Sequence, residues 1–434
     1  MILYVIFFLF ILECVALLVW GLKRPGRVYE FPFLAAAVFT GWVLPQLVGL
    51  AKDPYLPPGG LEKTIFMSAL CLGMCYLGYV WKREPTKMFN WSLSRTRLLI
   101  LSAFFVLVGA YFFFLISRLP EELTSQSNWS GLPVLYLFFA NILGYGFAIG
   151  LLLYMRCNSK IALGIALFAS LFFVDRIFIG GRREVALEFS LAILLAFWFG
   201  QRKSLPRPII LAAIFFGALL FYSIGEYRAI TKGEEGFQLK RIVKIEFLEN
   251  FKRIIEDEGG YELRNAVYNI QAEDTEKSFD FGLYHWNGIV FDFVPRQILG
   301  EDFKSSLMIP LEDVTYTVYG YEPHTGTTST GMTDTFRSFW YFGALKFFLI
   351  GYIMARLYRA AIRGNFVAQL FYMCIIVAAL LSITHSTQWF FSGWVHIGIF
   401  LLPAVLLART GRFGKSKISR PAYPQSLPRV LRER

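Results

Sequence analysis

Residues 366–384 read FVAQLFYMCIIVAALLSIT, an apolar run without a charged side chain. A helix needs roughly 20 such residues to cross the hydrocarbon core of a bilayer. About eleven comparable runs recur along the chain, near residues 1–20, 31–50, 64–81, 98–117, 132–155, 161–179, 186–200, 208–224, 339–357, 366–384 and 389–408. Because every backbone polar group within lipid needs an internal partner, these runs predict a bundle of membrane-spanning helices.

The composition of the whole chain agrees with a membrane protein. Of its 434 residues, 56% are hydrophobic and 18% are aromatic, whereas a soluble domain of ordinary composition has a lower apolar share. The first run lacks a basic start and a small-residue cleavage site, so we expect it to be retained as an anchor. The five cysteines fall in apolar runs or on the predicted cytoplasmic side, where disulfides are rare.

Basic residues in alternate short loops predict the orientation, because Lys and Arg near helix ends are retained on the cytoplasmic side. One set of loops carries Lys23, Arg24, Arg27, Lys82, Arg83, Lys87, Arg95, Arg156, Lys160, Arg202, Lys203, Arg207, Arg356, Arg359 and Arg363. These loops and the basic tail are therefore predicted to be cytoplasmic, and an odd number of spans places Met1 outside. The formal charge of +12 then comes mostly from the basic residues that set the orientation in the membrane. We therefore exclude a role in nucleic-acid binding.

One region breaks the series of apolar runs. Between Glu226 and Arg337 charged and polar residues dominate, over a length greater than a simple reversal of direction needs. The sequence thus predicts an all-α, polytopic transmembrane bundle with one large periplasmic or extracellular loop. Its parts are an N-terminal bundle of about eight spans at 1–224, the loop at 225–338, three further spans at 339–408, and a basic cytoplasmic tail at 409–434.

Two patterns within this loop predict local structure. Apolar residues between 242 and 255 recur at near-helical intervals among charges, which is typical of amphipathic helices lying on a bundle. The stretch FGLYHWNGIVFDFVP, residues 281–295, is apolar and aromatic but short for a span, so it predicts an interfacial or re-entrant segment.

Arginines on the predicted non-cytoplasmic side are unexpected, because the positive-inside bias depletes them there. They are Arg176, Arg182, Arg183, Arg228, Arg264, Arg296 and Arg337. Guanidinium groups present a planar fork of donors to phosphate oxygens and stay charged, so several that converge would suit a lipid-linked diphosphate. The alternative for a single arginine is contact with lipid headgroups or with a local acid such as Asp175 or Glu184. We favour a functional role for Arg182 and Arg296.

Candidate proton acceptors lie late in the loop. His324 falls in YEPHTGTTSTG, residues 321–331, a segment without helical periodicity where an imidazole can take up a proton near neutral pH. A surface side chain is the alternative for His324, and Asp334 and Asp292 are other candidate acceptors. Aromatic-belt or interhelical contacts account for the remaining histidines, His285, His385 and His396. The aromatic residues that could stack on sugar rings or anchor at the interface are Tyr284, Trp286, Tyr316, Tyr319, Tyr321 and Trp340.

With these residues in view, the chain resembles the bacterial O-antigen polymerase (Wzy-type) family of oligosaccharide repeat-unit polymerases. The resemblance covers most of the chain and rests on many spans with one large late loop. Three stretches carry it: GGRREVAL at 180–187, FDFVPRQI at 291–298, and TGTTSTGMTDTFRSFWYFGALKFFLIGYIMARLYR at 325–359.

The resemblance implies a glycosyltransferase of the GT-C type in the bacterial inner membrane, acting at the periplasmic face without metal or another cofactor. Donor and acceptor would be undecaprenyl-diphosphate-linked oligosaccharides, transferred en bloc with inversion. The residues that would hold the diphosphate are Arg182, Arg183, Arg228 and Arg296. His324 or Asp334 would deprotonate the acceptor hydroxyl. The implied partners are membrane lipid, a chain-length regulator and a flippase.

Other functions stay open at this stage. An O-antigen ligase shares the architecture and differs in its acceptor. A flippase or exporter for lipid-linked oligosaccharides would need ionisable residues distributed through several spans, and most spans here lack them. A purely structural role in a polysaccharide assembly complex is the remaining alternative.

Overall fold

The computed structural model describes residues 2–81, 91–120, 123, 131–231, 238–258, 260–324 and 326–410. The predicted basic loop at Lys82, Arg83 and Lys87 lies outside these ranges, as does the predicted basic tail from residue 411 onward. Within the described ranges the protein is all-helical, as the sequence predicts.

The N-terminal half consists of long apolar helices. They are α1 (Ile2–Leu22), α2 (Phe31–Leu50), α3 (Gly60–Val80), α4 (Arg95–Ser117), α5 (Leu132–Cys157), α6 (Lys160–Phe178) and α7 (Arg183–Gln201). Next comes α8 (Arg207–Tyr222), followed at a bend of 59° by α9 (Ile224–Thr231). Their positions agree with the apolar runs of the sequence.

The predicted loop folds into short helices. They are α10 (Leu239–Ile242), α11 (Phe247–Arg253), α12 (Tyr261–Glu276), α13 (Leu283–Phe293), α14 (Arg296–Leu299), α15 (Glu301–Leu307) and α16 (Val314–Tyr319). They cover one end of the bundle, which we name the loop end. There α12 crosses the start of α3 so closely that a Cβ on Gly60 would lie 2.9 Å from Val267 Cγ1.

The C-terminal part completes the bundle with α17 (Gly331–Phe339), α18 (Leu345–Ala361), α19 (Phe366–Thr384) and α20 (Gln388–Ala408). In the described chain, ten segments are long and apolar enough to cross a membrane, or eleven if α8 and α9 form one span. The protein is therefore an all-helical, multi-pass membrane protein.

The candidate span that contains α18 begins at Gly331 rather than at residue 339. Its first part, α17, is packed so tightly that a Cβ on Gly331 would meet the Ser382 carbonyl oxygen of α19 at 1.8 Å. The helix is broken at Trp340, whose φ of 54° starts a 3-10 turn through Ala344. The charges of α17 resemble a solvated loop in the sequence, but the structure buries them with partners.

Arginines of the predicted cytoplasmic loops meet at the opposite end, which we name the basic end. Arg156 donates a 2.7 Å hydrogen bond to the Gly364 carbonyl oxygen, and Arg202 donates to that of Ile362. Arg359 donates to the carbonyl oxygen of Tyr79. Helix C-termini leave carbonyl groups without helical partners, so these arginines serve a structural role there.

Candidate functional site

Three arginines that the sequence singled out lie together at the loop end. Arg182 precedes α7 and is 3.9 Å from Glu184, while the guanidinium of Arg183 lies 3.7 Å from the centroid of the Phe221 ring of α8. Arg228 of α9 donates a 3.0 Å hydrogen bond from Nε to the Gly181 carbonyl oxygen. We name Arg182, Arg183 and Arg228 the arginine cluster.

A glycine turn brings the arginine cluster together. Gly181 has a φ of +58°, a left-handed conformation that favours glycine. A Cβ there would also lie only 2.9 Å from Cγ of Arg228. The sequence GGRRE therefore combines a tight turn after α6 with two arginines at the start of α7, and leaves room for a third from α9.

Both guanidinium groups and carboxylates act on the arginine cluster. Arg228 feels the field of Arg182, and Arg183 feels those of Arg228 and of Glu262, which α12 supplies from the loop. Glu184 acts on both Arg183 and Arg228. The side chain of Arg182 is 42% exposed. A partly exposed site with three neighbouring guanidinium groups suits an anion with several oxygens.

His385 lies close to the arginine cluster. The sequence analysis did not include His385 among the candidate site residues. It sits in the polar turn THSTQ, residues 384–388, which joins α19 to α20. Its Nδ1 is 2.8 Å from Thr384 Oγ1, and Arg183 and Glu184 both act on it electrostatically. Burial, with a smaller contribution from Arg183, lowers the pKa of His385 to about 4, so the ring is neutral near pH 7.

Asp334 of α17 also binds the polar turn, through Thr387. The Asp334 side chain is 1% exposed. Its Oδ1 accepts a 3.0 Å hydrogen bond from Thr387 Oγ1, and its Oδ2 accepts from the Thr387 backbone N–H. Lys346 of α18 places its Nζ 3.7 Å from Asp334 Oδ1. Asp334 thus has partners for both oxygens inside the protein.

His285 of α13 joins the same group of polar side chains. Its Nδ1 lies 2.9 Å from Gln388 Oε1, so Nδ1 carries the proton and Nε2 accepts the 2.5 Å hydrogen bond from Lys346. Burial and the Lys346 ammonium lower the pKa of His285 to about 4. We name Asp334, Lys346, His285, Thr387 and Gln388 the aspartate network. It links the loop, two helices and the polar turn.

The other predicted site residues lie on the surface of the loop. Arg296, at the start of α14, is 44% exposed and has its Nη1 3.4 Å from Glu301. The His324 ring is exposed and stacks on Tyr261, with centroids 4.7 Å apart. Asp292 accepts a 2.7 Å hydrogen bond from Ser392 of α20.

Among the described residues no group of three or more His, Cys, Asp or Glu side chains could hold a metal ion. Fold and site define this chain as a multi-pass helical membrane protein with an arginine cluster at one end. No family model, curated protein or solved structure matches it.

Proposed function

We propose that the protein polymerises undecaprenyl-diphosphate-linked oligosaccharide repeat units at the periplasmic face of a bacterial inner membrane. The observation that carries this proposal is the meeting of Arg182, Arg183 and Arg228 at the end of the bundle covered by the loop. A lipid diphosphate would present its oxygens at such an end of the bundle, with its chain in the bilayer and its glycan in water. The sequence resemblance points to the same substrate.

The arginine cluster would bind the diphosphate of the donor. As the bond between the anomeric carbon and the diphosphate breaks, negative charge grows on the leaving oxygen. Guanidinium groups already fixed by Phe221 and by the Gly181 carbonyl oxygen would stabilise that charge without reorganising, which is the largest contribution in many enzymes. The diphosphate would leave with the electron pair of the broken bond.

His385 is the base that this geometry favours. In the tautomer whose Nδ1 donates to Thr384 Oγ1, 2.8 Å away, Nε2 would take the proton of the acceptor hydroxyl. The hydroxyl oxygen would attack the anomeric carbon opposite the diphosphate, forming the new glycosidic bond with inversion. Asp334 would then act as a positioning residue, because it binds Thr387 of the same turn. His324 is the alternative base.

Reconstitution tests the proposed reaction. The purified protein is placed in liposomes with a lipid-linked oligosaccharide from its host, and the glycans are then sized. We expect a ladder of repeats from the wild type and none from R183Q or R228Q. R118Q is the matched control. Arg118 directly follows α4, and its guanidinium carbon lies 4.9 Å from the centroid of the Phe114 ring. A ladder from R183Q equal to that of the wild type would contradict the proposal.

The base is tested by comparing H385Q with H324Q. Loss of a general base lowers the rate by about 10²–10⁴-fold, and we expect this of H385Q while the variant keeps its affinity for the donor. H324Q should retain its rate. Imidazole added to H385G should restore transfer, because a merely structural histidine would not be replaced by a free base. The reverse pattern would assign the base to His324.

A transporter for lipid-linked oligosaccharides is the second candidate. It is favoured by charged side chains within the bundle, namely the buried Asp334–Lys346 pair and the half-buried Glu188, which feels the field of Arg176 from α6. Ionisable side chains inside a membrane often mark a transport path. A transporter would move a fluorescent lipid-linked oligosaccharide across the liposome membrane without lengthening it, so the same preparation separates the two functions.

A further inference from the structure

Aromatic rings gather on the loop, around helix α12. The rings of Tyr268 and Tyr321 are parallel, with an interplanar angle of 2° and centroids 3.9 Å apart. Tyr319 meets Tyr268 edge-on at 5.7 Å, and Tyr55 is 85% exposed next to them. We name Tyr55, Tyr268, Tyr319 and Tyr321 the tyrosine surface.

Polar contacts fix the tyrosine surface in place. The Tyr321 hydroxyl donates a 2.7 Å hydrogen bond to Oδ1 of Asn265, and the Tyr268 hydroxyl donates a 2.9 Å bond to the Tyr55 carbonyl oxygen. An ion pair of 2.9 Å joins Arg264 to Asp53 in the same region. Rigid, amphipathic rings with planar polar groups beside them offer a large contact area at a small entropic cost.

The position of the tyrosine surface distinguishes it from a membrane-anchoring belt. Tyr268 belongs to α12 and Tyr319 to α16, which are loop helices rather than spans. The ion pair of Arg264 with Asp53 within the surface also suits water rather than lipid. The same helix α12 carries Glu262, which acts on Arg183. Helix α12 therefore carries both a tyrosine of the surface and an acid that acts on the arginine cluster.

We propose that the tyrosine surface binds the sugar rings of the glycan whose diphosphate the arginine cluster holds. The proposal rests on the proposed function and names a second part of the same substrate site. Sugar rings have apolar faces that stack on tyrosine and hydroxyls that pair with amide and charged groups. A chain held at this surface stays on the enzyme between transfers, so loss of the surface shortens the product.

The experiment measures binding of a lipid-free oligosaccharide, released from the host polysaccharide, to the purified protein. Saturation-transfer NMR or thermophoresis gives the Kd without any donor lipid. Loss of one ring contact should weaken binding by about 3- to 10-fold, and we expect this for Y268A and Y321A. Y55A should weaken binding as well. This variant should leave the fold intact, because the Tyr55 side chain is 85% exposed. Y4A, on α1, is the matched control and should bind as the wild type does.

The outcomes separate this inference from the proposed function. In the liposome assay, the tyrosine variants should make shorter ladders than the wild type. The inference would be overturned by equal glycan affinity in the wild type, Y55A, Y268A and Y321A, or by no glycan binding in the wild type. A ladder of repeats in the liposome assay would still support polymerisation in either case. Glycan binding that depends on the tyrosines, without any ladder, would count against polymerisation and keep the surface.

Discussion

The arginine cluster and the aspartate network lie at the same end of the bundle and differ in how the protein satisfies their charges. In the network, Asp334 uses both carboxylate oxygens on Thr387 and has Lys346 at 3.7 Å. In the cluster, the side chain of Arg182 is 42% exposed, and its Nη1 lies 3.9 Å from Oε1 of Glu184. The network is buried, whereas the cluster is partly exposed.

This difference separates structural from functional charges. A buried pair contributes little net stability, but removal of one partner leaves the other charge uncompensated. A partly exposed group of like charges gains when an anion arrives. We therefore expect changes in the network to act first on folding, and changes in the cluster to act first on ligand binding and rate.

The largest effect on stability should come from D334A. It leaves the Lys346 ammonium buried without its carboxylate, which typically costs about 3–5 kcal/mol. Thermal unfolding of the purified protein in detergent measures this loss. The double variant D334A/K346M should recover most of it, because no charge is then left unpaired. A D334A protein as stable as the wild type would show that the pair is solvated, contrary to its burial.

The arginines of the cluster should affect rate rather than stability. R182Q, R183Q and R228Q should each lower the transfer rate by about 10²–10³-fold, with melting temperatures close to that of the wild type. R296Q sharpens the comparison. An equal loss would place Arg296 in the diphosphate site, as the sequence predicts, whereas a loss below about 3-fold, less than 1 kcal/mol, would restrict the site to the cluster.

The aspartate network should make stability dependent on pH through His285. Its folded-state pKa of about 4 lies below the ordinary value of 6.5, so the unfolded chain binds the proton more tightly. The contribution of His285 to the free energy of unfolding is then fully present above pH 6.5 and is lost as the pH falls toward 4. Unfolding of the wild type and of H285Q, measured from pH 4.5 to 8, should diverge only in that window.

The difference in stability between the wild type and H285Q is the quantity to compare, because Glu273 also makes the stability of the wild type depend on pH. Burial raises the pKa of this residue to about 7 despite its pairing with Arg337. Its contribution is present at low pH and is lost as the pH rises through that value. Parallel curves for the wild type and H285Q across the whole range would contradict the buried position of His285.

The smallest effect should come from an exposed pair on the loop. Arg296 and Glu301 are 44% and 61% exposed and 3.4 Å apart. Such pairs contribute about 0–1 kcal/mol, so E301Q should change the free energy of unfolding by less than that. A larger loss, seen by thermal unfolding, would mean that the α14–α15 segment is held by this pair.

The spans could be predicted from the sequence because lipid imposes a simple rule on length and polarity. The run at 366–384 coincides with α19. The rule failed at α17, because Asp334 and Arg337 in a sequence look alike whether water or a buried partner satisfies them. Only the structure shows that Lys346 and Glu273 take that role.

The candidate site was predicted in part. Arg182 and Arg183 are adjacent in the sequence, and their type and side of the membrane indicated an anion site. The resemblance also assigned Arg228 to the diphosphate, but hydropathy does not encode the bend between α8 and α9 that brings Arg228 to them. His385 was passed over because a polar residue between two spans usually serves their packing. The polar turn THSTQ was the available signal.

The most direct test of the central claim is binding of undecaprenyl diphosphate to the purified protein, measured by native mass spectrometry beside undecaprenyl monophosphate. We expect the wild type and R118Q to retain the diphosphate in preference to the monophosphate. The triple variant R182Q/R183Q/R228Q should lose that preference while it stays folded. Equal retention of both lipids by the wild type, or an unchanged preference in the triple variant, would contradict a diphosphate site at the arginine cluster.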